Sequence, residues 1–396
     1  EMWGHPSPCF AVSARILRCL FFASFVTGID GFALFARDPA SMQTTSRSVL
    51  ARRDLLASLP AVLSAPASVM LAAAADDTGN PAKQQPVGYR ATTVEVGGQT
   101  VPIAQWYPMG DGDAGSAEDR PYRYRIGIGN LFRAFLGLNL PIPSPEVRSG
   151  DGDAVRTGGA PAAAGCRGGI VFAHGMLGSR FDMADLCAAL AREGFAVSAA
   201  DFAESISASF QPNEETSRQA IIDAEMALLQ RDFGVDKFGI FGHSAGGGSA
   251  TMTKGPYALG RCAVAGARPY DGDDPLYIVA SAGDGVIPLD MVRTTVPSDA
   301  AISSNPTDVK WDRSQRSAAL LIEGPLGGAA YAPNHISFLD EEANAALVRV
   351  LGPLLPLARL LRLKVLDFDV YVERKDSRQT AMAVRPSIVE FFSARR

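Results

Sequence analysis

Four histidines and one serine framed by glycines carry most of the chemistry legible in this chain. The segment Gly242-His243-Ser244-Ala245-Gly246 follows the apolar run Phe238-Gly239-Ile240-Phe241 and leads into a glycine-rich stretch. A serine on a sharp turn from strand to helix needs neighbours without side chains. Its hydroxyl then stands clear, and the helix N-terminus comes close to a reacting oxygen. Ser244 therefore reads as a nucleophile, and a serine hydroxyl needs a base. His5 lies in a segment read below as an address, His174 in the turn Phe172-Ala173-His174-Gly175-Met176, and His243 inside the elbow, where its ring is badly placed for its neighbour's hydroxyl. That leaves His335, in Pro333-Asn334-His335-Ile336-Ser337-Phe338, which follows the serine as expected for the chain order nucleophile, acid, base. Two aspartates compete to orient it. Asp284 sits in Ala282-Gly283-Asp284-Gly285-Val286-Ile287-Pro288, directly after the apolar run Leu276 to Ser281. Asp271 clusters with Asp273 and Asp274 after the run Cys262 to Ala267. Asp284 is the first choice and Asp271 the alternative; the other aspartates read as turn and capping residues.

Strands and helices must hold these groups. Val94 to Pro108 reads as two short strands around Gly97-Gly98, with Val101, Ile103, Gln105 and Tyr107 on one face by period two. Further strands are expected at Gly169–Ala173, Phe195–Ala200, Phe238–Gly242, Cys262–Ala267, Leu276–Ser281 and Ala318–Ile322. Helices are expected at Met183–Glu193, at Glu214–Gln230 with acids at its start, and from Gly246 to Thr253. Strands alternating with helices predict a mostly parallel central sheet with helices on both faces. Gly110–Arg120 and Ser149–Gly168 read as linkers around an apolar insertion, Ile126–Pro143, that bears Phe132, Phe135, Leu136 and Leu138. Residues 76–396 are thus expected to form one domain with insertions around 109–167.

Of the 396 residues, 47 % are hydrophobic and 20 % charged, so the chain can bury a large core. A net charge of −5 supplies no basic footprint for nucleic acid. The five cysteines occur singly, without the paired spacing of a zinc or redox site. Cys9 and Cys19 precede the expected domain, so Cys166, Cys187 and Cys262 allow one disulfide and one leftover thiol. Ahead of Asp76 stand an apolar run within Ala14–Phe35, a Ser/Thr/Arg-rich stretch from Arg37 to Arg53, and Arg52-Arg53 followed by apolar residues and a small-residue site at Ala72–Ala75. In series they predict a secretory signal, a transit-like segment and a twin-arginine signal, all removed, which would place the mature chain in a plastid, in the thylakoid lumen. A single export signal is the alternative. Leu347–Val365 carries Arg349, Arg359, Arg362 and Lys364 among leucines, and any helix is expected only beyond Pro353 and Pro356. With the apolar insertion it suggests peripheral membrane contact; packing on the core or a dimer contact is the rival reading.

The stretch FAHGMLGSRFDMADLCAALAREGFAVSAADFAES within Gly169–Phe210, the GHSAGG elbow and the C-terminal segment Pro386–Phe392 together resemble platelet-activating factor acetylhydrolases and their dienelactone-hydrolase-like and chlorophyllase relatives. The resemblance covers most of the chain beyond residue 76 and implies an α/β-hydrolase fold. It also implies hydrolysis of a carboxylic ester, small-molecule or lipid, without metal or organic cofactor. In α/β hydrolases a His-Gly turn supplies one oxyanion-hole N–H and the residue after the nucleophile the other. Here the donors would be Met176 and Ala245, with His174 shaping the turn. The acid departs from the pattern, since the acetylhydrolases and chlorophyllases tend to carry it at the end of the strand after the elbow, where this chain reads Gly266-Ala267-Arg268-Pro269-Tyr270-Asp271, while the dienelactone-hydrolase-like relatives place it differently from the acetylhydrolases. An acyltransferase with the same acyl-enzyme, and a non-catalytic binding protein on the same fold, are the other readings.

Overall fold

The computed structural model describes residues 86–395 apart from 111–115, 119–121, 131–140, 150–154, 158, 160, 162–164, 208–215, 312–314, 327, 357–366 and 375–376. The targeting segments, the aromatic and leucine residues of the apolar insertion, and the basic stretch around Arg359, Arg362 and Lys364 lie outside the described residues.

Apolar runs buried on both faces make the central strands. β1 (Val87–Val96) and β2 (Gln99–Pro108) form a hairpin. Its turn places Gly97 and Gly98 at φ +56° and +75°, as a two-residue turn matched to strand twist requires. β1 therefore starts at Val87, earlier than the expected Val94, because its first residues pair with the end of β2, Val87 opposite Pro108. Short strands β3 (Ser116–Glu118), β4 (Tyr122–Arg125), β5 (Glu146–Ser149) and β6 (Val155–Thr157) follow, then β7 (Gly169–Ala173). Helix α1 (Ala184–Arg192), β8 (Ala196–Ala200), α2 (Arg218–Phe233), β9 (Phe238–His243), α3 (Ala245–Met252) and β10 (Gly260–Val264) alternate. The chain continues through β11 (Leu276–Ser281), α4 (Leu289–Arg293), β12 (Ala301–Ser303), β13 (Ser317–Ile322), α5 (Glu341–Leu351), α6 (Phe368–Glu373) and α7 (Ser377–Ser393).

The main sheet has the order β12-β13-β11-β10-β9-β7-β8-β2-β1-β6-β3. From β8 to β12 all neighbours are parallel, whereas β2 runs against both β8 and β1. Side chains of β7 divide the core by their alternation. Ile170 and Phe172 pack with Leu186 and Leu190 of α1 and Phe391 and Phe392 of α7; Val171 and Ala173 pack with Ile221, Ile222 and Leu229 of α2. Helices therefore cover both faces. This sheet, with a serine elbow at the end of β9, is the α/β-hydrolase fold. From β7 the chain steps to β8 on one side and then to β9 on the other, so the order of strands reverses between β7 and β9. Open α/β sheets form their crevice at the carboxyl ends beside such a reversal.

Three readings need correction. The stretches taken as linkers carry β3 and β6, which extend the sheet past β1. Their sequences lack an apolar alternation, so only the pairing reveals them. Between them, β4 and β5 form a separate hairpin that docks through Tyr122 and Tyr124 on Phe181, with the Trp106 indole N–H donating to the Tyr122 hydroxyl at 2.9 Å. Helix α2 begins at Arg218, later than the expected Glu214, behind the cap Ser217, whose hydroxyl accepts the Ala220 N–H, and it stops at Gly234 in the left-handed region. Near the C-terminus, helix α5 precedes Pro353, and its Leu347 is buried in the core. The disulfide question left open by the sequence is answered separately: Cys166, Cys187 and Cys262 are all free thiols.

Glu225 of α2 is fully buried. One carboxylate oxygen accepts from the Ser198 hydroxyl at 2.8 Å, and the other has no hydrogen-bond partner among the described residues. Burial pushes its pKa up to about 8 from 4.5. Between those values the folded chain keeps a proton that the unfolded chain has released, so stability falls as pH rises through this window. Glu225→Gln is expected to melt like the wild type near pH 4 and to gain on it progressively toward pH 8. Parallel melting curves for the two proteins at every pH would contradict this.

Candidate active site

The elbow is built by excluding side chains. β9 ends at His243, and Ser244 takes φ +57° and ψ −119° before α3 begins, a conformation costing a non-glycine residue about 1–3 kcal/mol. A Cβ on Gly242 would lie 2.2 Å from the Gly246 carbonyl oxygen, and one on Gly246 only 1.8 Å from that of Ala173. Those glycines let α3 lie directly against β7 and β9. Gly246→Ala is expected to destabilise the fold by about 4 kcal/mol or more, since backbone blocks the methyl. Gly248 supplies the control. Its added Cβ meets nothing nearer than 3.8 Å, so Gly248→Ala should stabilise by about 0.5–1 kcal/mol. Equal denaturation midpoints for the two variants would contradict the packing argument.

The loop after β13 carries His335, which is 1 % exposed. Asn334 shapes that loop, its side-chain oxygen accepting from the N–H groups of Ile336 and Ser337 and from the Ser337 hydroxyl. His335 Nε2 lies 2.9 Å from Ser244 Oγ, and Nδ1 lies 2.8 Å from Asp284 Oδ2. The other oxygen of Asp284 accepts from the N–H groups of Val286 and Ile287 at 2.9 and 2.7 Å, which locks the carboxylate toward the imidazole. Ser244, His335 and Asp284 thus form one continuous chain of hydrogen bonds.

Asp271 stands elsewhere. β10 stops at Val264 rather than Ala267, and Ala265, at φ +51°, turns the chain away. Asp271 is exposed, while its neighbours Asp273 and Asp274 pair with Arg316 and Arg261.

Facing the serine is the turn after β7. His174 accepts the Phe202 N–H at Nε2, at 2.9 Å, and contacts the Gly175 carbonyl through Nδ1 at 2.6 Å. Burial and the nearby Arg218 push its pKa down to about 4, so the ring is a neutral brace. Leu177 then turns the chain at φ +59°. Among the described residues, neither the Met176 N–H nor the Ala245 N–H has a protein acceptor. The pocket over Ser244 is lined by Met176, Leu177, Leu339, Leu347 and Phe368, among others. Asp182 also lines it, bonded to the Ser179 hydroxyl at 2.9 Å, and its burial pushes the pKa up to about 7.

Sequence reasoning missed three supports. His243 donates from Nε2 to the His335 carbonyl at 2.8 Å, bracing the base from behind; burial, with His335 beside it, holds its pKa near about 3. Arg218 bonds the His174 carbonyl, Glu204 and the Ser249 hydroxyl and stacks on Phe202, tying the turn after β7 to α3. A cation in the first turn of a helix opposes the helix dipole, and that misplacement was the signal available in the sequence. The third is Asp367, taken up below.

No protein-family model matches the chain, and no curated protein matches it. Among solved structures it is similar to a ferulic acid esterase from Streptomyces cinnamoneus, at 19 % identity and TM-score 0.47, covering 79 % of this chain and 91 % of that one. A putative dienelactone hydrolase from Klebsiella pneumoniae is similar at 15 % identity and TM-score 0.33, over 67 % of this chain and 97 % of that one. An α/β serine hydrolase without a lid from Xanthomonas campestris is similar at 10 % identity and TM-score 0.33, over 67 % and 94 %.

Proposed function

We propose that this chain hydrolyses carboxylic esters through an acyl-enzyme on Ser244. The observation that carries the reading is the Ser244–His335–Asp284 relay, set beneath a pocket where the strand order reverses. His335 Nε2 takes the hydroxyl proton as Ser244 Oγ bonds to the ester carbonyl carbon, and Asp284 holds Nδ1–H and steadies the imidazolium. The N–H groups of Met176 and Ala245 receive the oxyanion. On collapse the C–O bond to the alcohol breaks, and His335 returns the proton to the departing oxygen. Water activated by the same imidazole then releases the acid. Leu339, Leu347 and Phe368 support an acyl group with apolar character.

A fluorophosphonate probe should label wild-type protein and leave Ser244→Ala unlabelled, and a series of p-nitrophenyl esters should then rank acyl length. An unlabelled wild type would instead favour a non-catalytic binding protein on this fold.

A further inference from the structure

Asp367 is buried, 4 % exposed, and held at φ +61° although it is not glycine. One carboxylate oxygen, Oδ2, accepts two backbone N–H groups: that of Gly285 at 2.6 Å and that of His335 at 3.3 Å. Gly285 directly follows Asp284, so this oxygen joins the loop of the acid to the loop of the base. The fit is close, since a Cβ on Gly285 would stand 2.5 Å from Asp367 Oδ1. Asp367 also starts α6, its carbonyl accepting the Tyr371 N–H at 2.8 Å, and the next residue, Phe368, lines the pocket over Ser244. One side chain therefore ties acid loop, base loop and pocket wall together.

We propose that Asp367 is a positioning residue for acyl transfer: its carboxylate fixes the separation of the Asp284 and His335 loops and adds a negative charge beside the imidazolium. The role rests on the Ser244 hydrolase reading. His335 is faced by Asp284 at its ring, Asp367 at its backbone, His243 behind it and Ser244 in front. Asp367 is faced in turn by Asp284 and His335. Burial pushes its carboxyl above the usual range, against the pull of its two N–H donors, with Asp284 adding to the rise and His335 opposing it.

The test compares kcat and KM of wild type, Asp367→Ala and Asp367→Asn for hydrolysis of p-nitrophenyl butyrate, alongside fluorophosphonate labelling. Asp367→Ala should lose about 10²-fold in kcat with KM little changed, as expected for a small misplacement of reacting groups. Asp367→Asn keeps an oxygen acceptor for the Gly285 and His335 N–H groups and should recover part of that loss, again in kcat rather than KM. Should the alanine variant not fold, the asparagine variant decides alone. Labelled wild type with kcat unchanged in Asp367→Asn overturns the positioning role and leaves the hydrolase reading standing. Unlabelled, inactive wild type removes both.

Discussion

Replacing Ser244 with alanine is expected to lower kcat for ester hydrolysis by about 10⁶-fold, to the level that binding and oxyanion donors alone sustain. The drop is this large because the hydroxyl is the bond-forming group and the rest of the relay acts only through it. Nothing else need change. The strained backbone at φ +57° is set by the elbow and is no worse for alanine than for serine, and among the described residues the side-chain partner of Oγ is His335 Nε2 alone. The melting temperature of the variant should therefore match that of wild type. Steady-state hydrolysis at an undiminished rate, in protein free of a contaminating esterase, would end the assignment of Ser244.

Asp284→Asn carries the second largest effect, a loss of about 10⁴-fold in kcat. An asparagine there can keep its oxygen on the N–H groups of Val286 and Ile287, which then turns its amide NH₂ toward His335 Nδ1. Two donors cannot face each other. The imidazole must carry its proton on Nε2 instead, where it points at Ser244 and cannot accept the hydroxyl proton. Asp271→Asn should leave kcat within about twofold, as a solvent-facing substitution usually does. Measured side by side, a crippled Asp271→Asn with an active Asp284→Asn would reverse the assignment.

The elbow was legible because its physics is local: an apolar run, three residues with no room for error and a glycine-rich helix start lie within one short stretch, Phe238 to Gly248. His335 was reachable because four histidines leave little choice. The alternation of strands and helices likewise follows from apolar periodicity. Other features depended on which distant segments meet. β3 and β6 have no apolar signature and exist only as partners of the sheet edge. The start of α2 followed the Ser217 cap rather than the upstream acids, because a hydrogen bond to the first turn outweighs a diffuse charge preference. The disulfide allowed by three thiols was not made, since Cys187 sits on α1 and Cys262 on β10, each buried where its helix or strand places it.

Between Asp284 and Asp271 the sequence preferred the first by its place after the strand Leu276–Ser281 but did not fix the choice, for both follow an apolar strand and both belong to turn-forming stretches. The tertiary structure separates them. β11 and β13 are adjacent parallel strands in register from Leu276 opposite Ser317 to Ser281 opposite Ile322, so the loops leaving their carboxyl ends emerge side by side and Asp284 meets His335. β10 ends beside β11 too, but its chain turns off at Ala265 and is drawn back toward Arg261 by Asp274, leaving Asp271 in solvent. Nothing local to either aspartate encodes that difference, because hydrogen bonding to a histidine about fifty or more residues away is a property of strand pairing, which only the assembled sheet sets.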